Sequence, residues 1–154
     1  VKEFPDDALI AYNLGVALLK LGRDKEALQP LKRSVEIDPG FARSRHNYAE
    51  ALRRTGSFAE AAEQYEQAIR IRGDEYEFCW GLGDCYLRLN RNDDALLAFD
   101  RAIAIDRRQP RALKSKSVVL ARMGKMTEAA SLLRKVLELT PDDKEAAAWL
   151  EQMK

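Results

Sequence analysis

The chain repeats itself. In steps of 34 residues Ala27 returns as Ala61, Ala95 and Ala129, and Leu31 returns as Tyr65, Phe99 and Leu133. Gly15 becomes Ala49, Gly83 and Ser117; Gly22 becomes Gly56, Asn90 and Gly124; Ile37 becomes Ile71, Ile105 and Leu139. Four units, residues 8–41, 42–75, 76–109 and 110–143, hold one register without insertion. A period of this length demands stacked supersecondary units, each too small to bury its apolar face alone.

Within a unit the pattern predicts helix, turn, helix. Leu14, Leu18 and Leu21 follow helical spacing, and Gly22 stops the helix as a left-handed cap. Asp24 is placed to cap a second helix whose apolar stripe is Ala27, Leu28, Leu31 and Val35, and Pro39 ends it. Gly15 and its counterparts are expected to meet Ala27 and its counterparts where the two helices approach. Pro30 should bend the second helix near its first turn. Lys116 stands where other units have Leu14, Tyr48 and Leu82, so the fourth unit is expected to pack more loosely, with the lysine stem snorkelling outward.

At the ends, Val1 to Pro5 aligns with Val35 to Pro39, so residues 1–7 read as the tail of a preceding repeat in a longer protein. Residues 144–154 read as a capping helix, with Ala147 and Leu150 facing inward and Trp149 and Met153 beside them.

The combination of Leu14-Gly15, Leu18, Ala27, Leu31, Ser34 and Pro39 at this period resembles the tetratricopeptide repeat. The third unit, with Leu82-Gly83, Tyr86, Ala95, Phe99 and Ala102, resembles it most. The resemblance implies an all-α, right-handed superhelix of four hairpins plus a C-terminal capping helix. It also implies a peptide-binding groove walled by the first helix of each repeat.

Carried across residue by residue, the family's wall positions make four tiers. They are Leu9, Tyr12, Asn13, Val16, Leu19 and Lys20; Arg43, His46, Asn47, Glu50, Arg53 and Arg54; Glu77, Trp80, Gly81, Asp84, Leu87 and Arg88; and Arg111, Lys114, Ser115, Val118, Ala121 and Arg122. The wall's cations are Lys20, Arg43, Arg53, Arg54, Arg88, Arg111, Lys114 and Arg122, against Glu50, Glu77 and Asp84, in a chain of net charge +1. A protein or peptide partner of acidic character follows, anchored near Tyr12 and Trp80 and steered by Arg43, Arg53 and Arg111.

Each of these features also has a plainer explanation. Lys20, Arg54, Arg88 and Arg122 suit helix C-termini, where the dipole favours a cation. Asn13 and Asn47 are the family's ordinary residues, and Trp80 would also serve by packing half-buried on the next hairpin. The family's clamp for chaperone C-termini is not expected. Its positions read Tyr12/Val16, Asn47 and Glu77/Gly81 from the first repeat, or His46/Glu50, Gly81 and Arg111/Ser115 from the second.

Composition sets the remaining limits. With 46% apolar and 33% charged residues the chain can form a core, and its near-neutral charge gives no bulk attraction to nucleic acid. No apolar run reaches the roughly 18 residues of a membrane span. Cys79 and Cys85 would lie about 240° apart around a helix, so they read as buried free thiols in a reducing, cytoplasmic compartment. One histidine, His46, and no phosphate-type glycine loop give no catalytic constellation, metal site or cofactor site. The expected activity is binding, not catalysis. Alternatives are the substrate-recruiting region of a larger enzyme such as a glycosyltransferase, or an edge-to-edge self-assembly module using Trp149 and the first-repeat surface.

Overall fold

The computed structural model describes residues 5–153, with side chains from Asp7 onward. Among these residues there are nine helices and no strand. They are α1 (Pro5–Lys20), α2 (Asp24–Ile37), α3 (Ala42–Arg54), α4 (Phe58–Arg72), α5 (Tyr76–Arg88), α6 (Asn92–Ile105), α7 (Pro110–Arg122), α8 (Met126–Leu139) and α9 (Lys144–Gln152). Consecutive helices pack as antiparallel hairpins, and each second helix also packs on the following first helix, which builds a right-handed superhelix. Pro5 to Asp7 are the first residues of α1, and residues 1–4 of the expected repeat tail lie outside the described residues.

The four hairpin turns share one device. Gly22, Gly56, Asn90 and Gly124 have φ of 72°, 91°, 59° and 77°, the left-handed region that closes a helix. The residue after each then donates its N–H back across the turn: Arg23 to Leu18, Ser57 to Leu52, Arg91 to Tyr86 and Lys125 to Leu120, all at 2.8–2.9 Å. These bonds satisfy carbonyls that the helix end would leave open. Asp24 is the first residue of α2 and does not cap it; Arg23 holds the cap position without a side-chain bond. Pro30 is accommodated inside α2, which remains one helix.

Within a hairpin the glycine of the first helix faces the large residue of the second. A Cβ on Gly15 would stand 2.4 Å from the Leu31 Cγ, and one on Gly83 would stand 2.6 Å from Phe99 Cε1. The glycines therefore make room for the large residue of the second helix, while Ala27, Ala61, Ala95 and Ala129 are themselves fully buried. Tyr65, Phe99, Leu31 and Leu133 are the large side chains so enclosed.

Between repeats, Ser34 Oγ donates to the Ala8 carbonyl at 2.8 Å and pairs with Ser44 Oγ at 2.6 Å, so this buried junction is polar yet satisfied. In α1 the buried leucine is Leu19, whereas Leu14 and Leu21 are 54% and 70% exposed. The repeat counterparts of Leu14, Tyr48 and Leu82, are buried under a preceding second helix. Lys116 turns away from the core and its ammonium pairs with Asp100 on α6. At the C-terminal end Ala146, and not Ala147, is the fully buried contact of α9, with Trp149, Leu150 and Met153 packed around it against Leu133 and Val136.

Candidate functional site: the wall of first helices

Helices α1, α3, α5 and α7 carry the wall residues, and their side chains are joined along the array. Asn47 Nδ2 donates to the Tyr12 hydroxyl at 3.3 Å, 35 residues back. Trp80 Nε1 donates to Ser115 Oγ at 3.1 Å, 35 residues on. The Tyr76 hydroxyl accepts from the N–H of Ala112, in the first turn of α7, at 3.1 Å. Each bond links a tier to the next.

The centre of the wall is an ion network. Arg53 grips Glu50 with two bonds of 3.1 and 2.8 Å and reaches Asp84 Oδ2 at 2.7 Å. Arg54 Nε adds a bond to Glu50 at 2.7 Å, and the buried Tyr65 hydroxyl adds another at 2.9 Å. Burial opposes ionisation of Glu50, but these donors from Arg53, Arg54 and Tyr65 outweigh it and pull the carboxyl down to about 2. Burial, the largest cause, pushes the Tyr65 hydroxyl up, and the nearby Glu50 charge adds to it.

Two guanidinium groups lie over the Trp80 ring. The Arg111 guanidinium carbon lies 3.3 Å from its ring centroid and that of Arg53 lies 5.1 Å away. Arg111 also donates to Glu77 at 3.0 Å. Trp80 is thus half-buried, with its N–H engaged by Ser115, and is not an aromatic face open to a ligand. The plainer of its two readings, packing on the next hairpin, matches this geometry.

Other expected wall residues are also taken up internally. Asp84 is 7% exposed, and Gly81 and Leu87 are buried, so none of these three lies open on the groove, while Leu19, 8% exposed, shows only an edge. Lys114 bonds Asp143 at 3.0 Å and Glu145 at 2.8 Å, which ties α7 to the start of α9. In the basic column, Arg54 Nη1 reaches the Leu19 carbonyl at 3.5 Å and Arg122 Nη1 the Leu87 carbonyl at 3.2 Å. Each of these cations caps the C-terminal turn of the first helix one tier earlier. Arg54 also meets Asp24, and Arg88 meets Asp84 at 3.8 Å. Nothing in the chain's sequence marked Asp24, Asp143 and Glu145 as partners of the wall, since they belong to the start of α2, the turn before α9 and α9 itself.

The wall also holds an open cleft of about 390 Å³ that reaches from the first tier to Arg111 of the fourth. Val16, Leu19, Lys20, His46, Asn47, Glu50, Arg54, Glu77 and Arg111 line it. His46 stacks obliquely on Phe78 at 5.0 Å and Tyr65 at 5.8 Å, and its Nδ1 is buried without a hydrogen-bond partner among the described residues. Burial lowers its pKa against the opposing pull of Glu50, Glu77 and Glu75, so it is neutral near pH 7. Asn13 and Arg43 stand exposed outside this cleft. Among the described residues no group of three or more His, Cys, Asp and Glu is placed to hold a metal ion, and no helix is long and apolar enough to cross a membrane.

Known proteins share this architecture. The chain superposes on the crystal structure of MamA with a TM-score of 0.90 at 18% identity, covering 97% of this chain and 82% of that one. It superposes on YrrB, described as a TPR protein with an unusual peptide-binding site, with a TM-score of 0.82 at 22% identity, covering 96% and 76%. In sequence it is 31% identical over 153 residues to anaphase-promoting complex subunit 3 of Schizosaccharomyces pombe, covering 84% of this chain and 22% of that protein. It is 35% identical over 78 residues to the peroxisomal targeting signal receptor of Candida glabrata, covering 51% and 13%. The chain spans well under half the length of these two relatives. Tetratricopeptide repeat models match residues 1–40 and 46–112, and again 112–147. With four hairpins in one register and those matches along nearly all of its length, the chain belongs to the tetratricopeptide repeat family.

Proposed function

We propose that this chain is a protein-interaction scaffold that takes a peptide or protein segment along its concave wall, without catalysis. The observation that carries this reading is the cleft that reaches from the first tier to Arg111, where apolar Val16 lies beside the polar groups of Asn47, His46 and Lys20. Such a mix of apolar area and a few convergent polar groups suits a short segment of partner chain. The peptide-binding site named for YrrB and the targeting-signal receptor among the relatives support it. The buried free thiols Cys79 and Cys85 suit a reducing compartment such as the cytoplasm.

The wall's positive excess is smaller than its residue types imply, because most of its cations are paired. An acidic partner is therefore proposed on the strength of the unpaired remainder. A pull-down from native lysate with the wild-type chain and a Val16→Glu/Asn47→Ala variant tests the reading, once circular dichroism shows equal helicity. Partners lost only from the variant support the groove; an identical partner list removes it.

A second reading, self-association, has one observation in its favour. Ile10 and Leu14 on α1 and Leu21 just after it are 66%, 54% and 70% exposed. If that face joins copies, mass measured by light scattering rises with concentration and stays monomeric in Leu14→Glu. A constant monomer mass in the wild type excludes it.

A further inference from the structure

We propose that Lys20 is the residue with which the groove reads a carboxylate, and that the segment bound there pairs an acidic side chain with an aliphatic one. The proposal rests on the groove reading above and names the chemistry of its ligand.

Lys20 belongs to the column whose other members have structural work. Arg54 reaches back to the Leu19 carbonyl and Arg122 to the Leu87 carbonyl, each closing the first helix of the tier before. Lys20 makes no such contact among the described residues. Its ammonium is exposed and has no ion-pair partner among them.

The other charges around the cleft cancel. Arg54 is balanced by Glu50 and Asp24, and Arg111 by Glu77. Of the cleft's charged lining, Lys20 alone is left uncompensated, so the local excess of one positive charge sits at that end. Val16 and the edge of Leu19 lie in the same lining, which places an apolar wall against the cation. Asn47 and neutral His46 add dipoles without adding charge. A free cation next to an aliphatic surface selects a carboxylate whose neighbour is aliphatic. Arg43, another wall cation without an ion-pair contact among the described residues, lies outside the cleft and serves as the control.

The test starts from random peptides displayed on phage and selected on the wild-type chain. One enriched peptide is then synthesised with its acid intact and as the matching amide (Asp→Asn or Glu→Gln). Affinities of both are measured by fluorescence anisotropy for wild type, Lys20→Met, Lys20→Arg and Arg43→Met. The expected result is a loss of about fivefold on acid-to-amide exchange in wild type, Lys20→Arg and Arg43→Met, and none in Lys20→Met. The same loss in Lys20→Met overturns the assignment to Lys20. Peptides whose binding is abolished by Val16→Glu but carries no acid preference overturn this proposal while leaving the groove reading intact. Failure of the wild type to enrich any peptide overturns both.

Discussion

Tyr65 occupies the space that a side chain at residue 81 would need: a Cβ on Gly81 would stand 2.3 Å from the Tyr65 Cζ. The tyrosine reaches from α4 past α5 to put its hydroxyl on Glu50, and Gly81 is the residue that lets it through. Gly81→Ala is therefore expected to destabilise the fold by about 1–2 kcal/mol in urea titration, overpacking outweighing the gain in helix propensity. Gly81→Asn, which restores the asparagine of the first two tiers, should cost more alone than in combination with Tyr65→Leu. A double-mutant cycle with no coupling would show that the two do not compete for space.

Glu50 is the hub of the wall, and its carboxyl is held at about 2 against an ordinary 4.5. A depressed carboxyl contributes stability that is present above its unfolded pKa and lost as pH falls through the folded one. The corresponding window runs from about pH 4.5 down to about 2. Glu50→Gln should cost on the order of 3 kcal/mol at neutral pH and flatten that part of the acid-unfolding curve. Equal acid sensitivity in wild type and variant would remove Glu50 from this role.

His46 contributes a separate limb at milder acid. Burial holds its folded pKa below 6.5, while Glu50, Glu77 and Glu75 oppose and Arg111 assists. Stability is therefore full above about pH 6.5 and declines as pH falls below it, because the unfolded chain takes the proton first. His46→Phe should abolish that decline, read as the midpoint of thermal unfolding against pH.

The two thiols should be silent in the native state. Burial pushes Cys79 up to about 11 and Cys85 up to about 12, and nearby Asp74 and Asp84 reinforce it, so neither is a thiolate at neutral pH. A disulfide-exchange reagent is expected to titrate both only after denaturant is added. Fast labelling of the folded chain would contradict their burial.

Arg122→Ala should cost about 1 kcal/mol by urea unfolding, the usual worth of one hydrogen bond to a helix end, without changing peptide affinity. Arg122→Lys should recover part of it. A loss of affinity with unchanged stability would put Arg122 in contact with ligand.

The sequence carried the architecture almost completely, because helix boundaries, turns and inter-helix spacing all repeat at the same period. Positive φ at Gly22, Gly56 and Gly124 could be read from glycine alone, and Asn90 from its place in the same register. The wall was legible by position but not by availability. Which of its residues are engaged depends on partners from other elements, such as Asp24 in the first turn of α2 and Asp143 before α9, and no periodic pattern shows those encounters. Trp80 illustrates the limit. Its place in the wall was plain, while the guanidinium of Arg111 lying over it comes from a helix one repeat away. Gly15 illustrates another, since the register shows a small residue where the helices approach without showing that the Leu31 side chain fills the space beside it.

The closed ion pairs of the wall also have a kinetic consequence. Since Glu50, Asp84, Glu77, Asp24, Asp143 and Glu145 neutralise most of its cations at contact distance, little field extends into the solvent beyond about 8 Å at physiological ionic strength. A partner is then found by ordinary diffusive collision, with association rates on the order of 10⁵–10⁶ M⁻¹s⁻¹ that change little with added salt. Selectivity among partners is expressed in how long they stay.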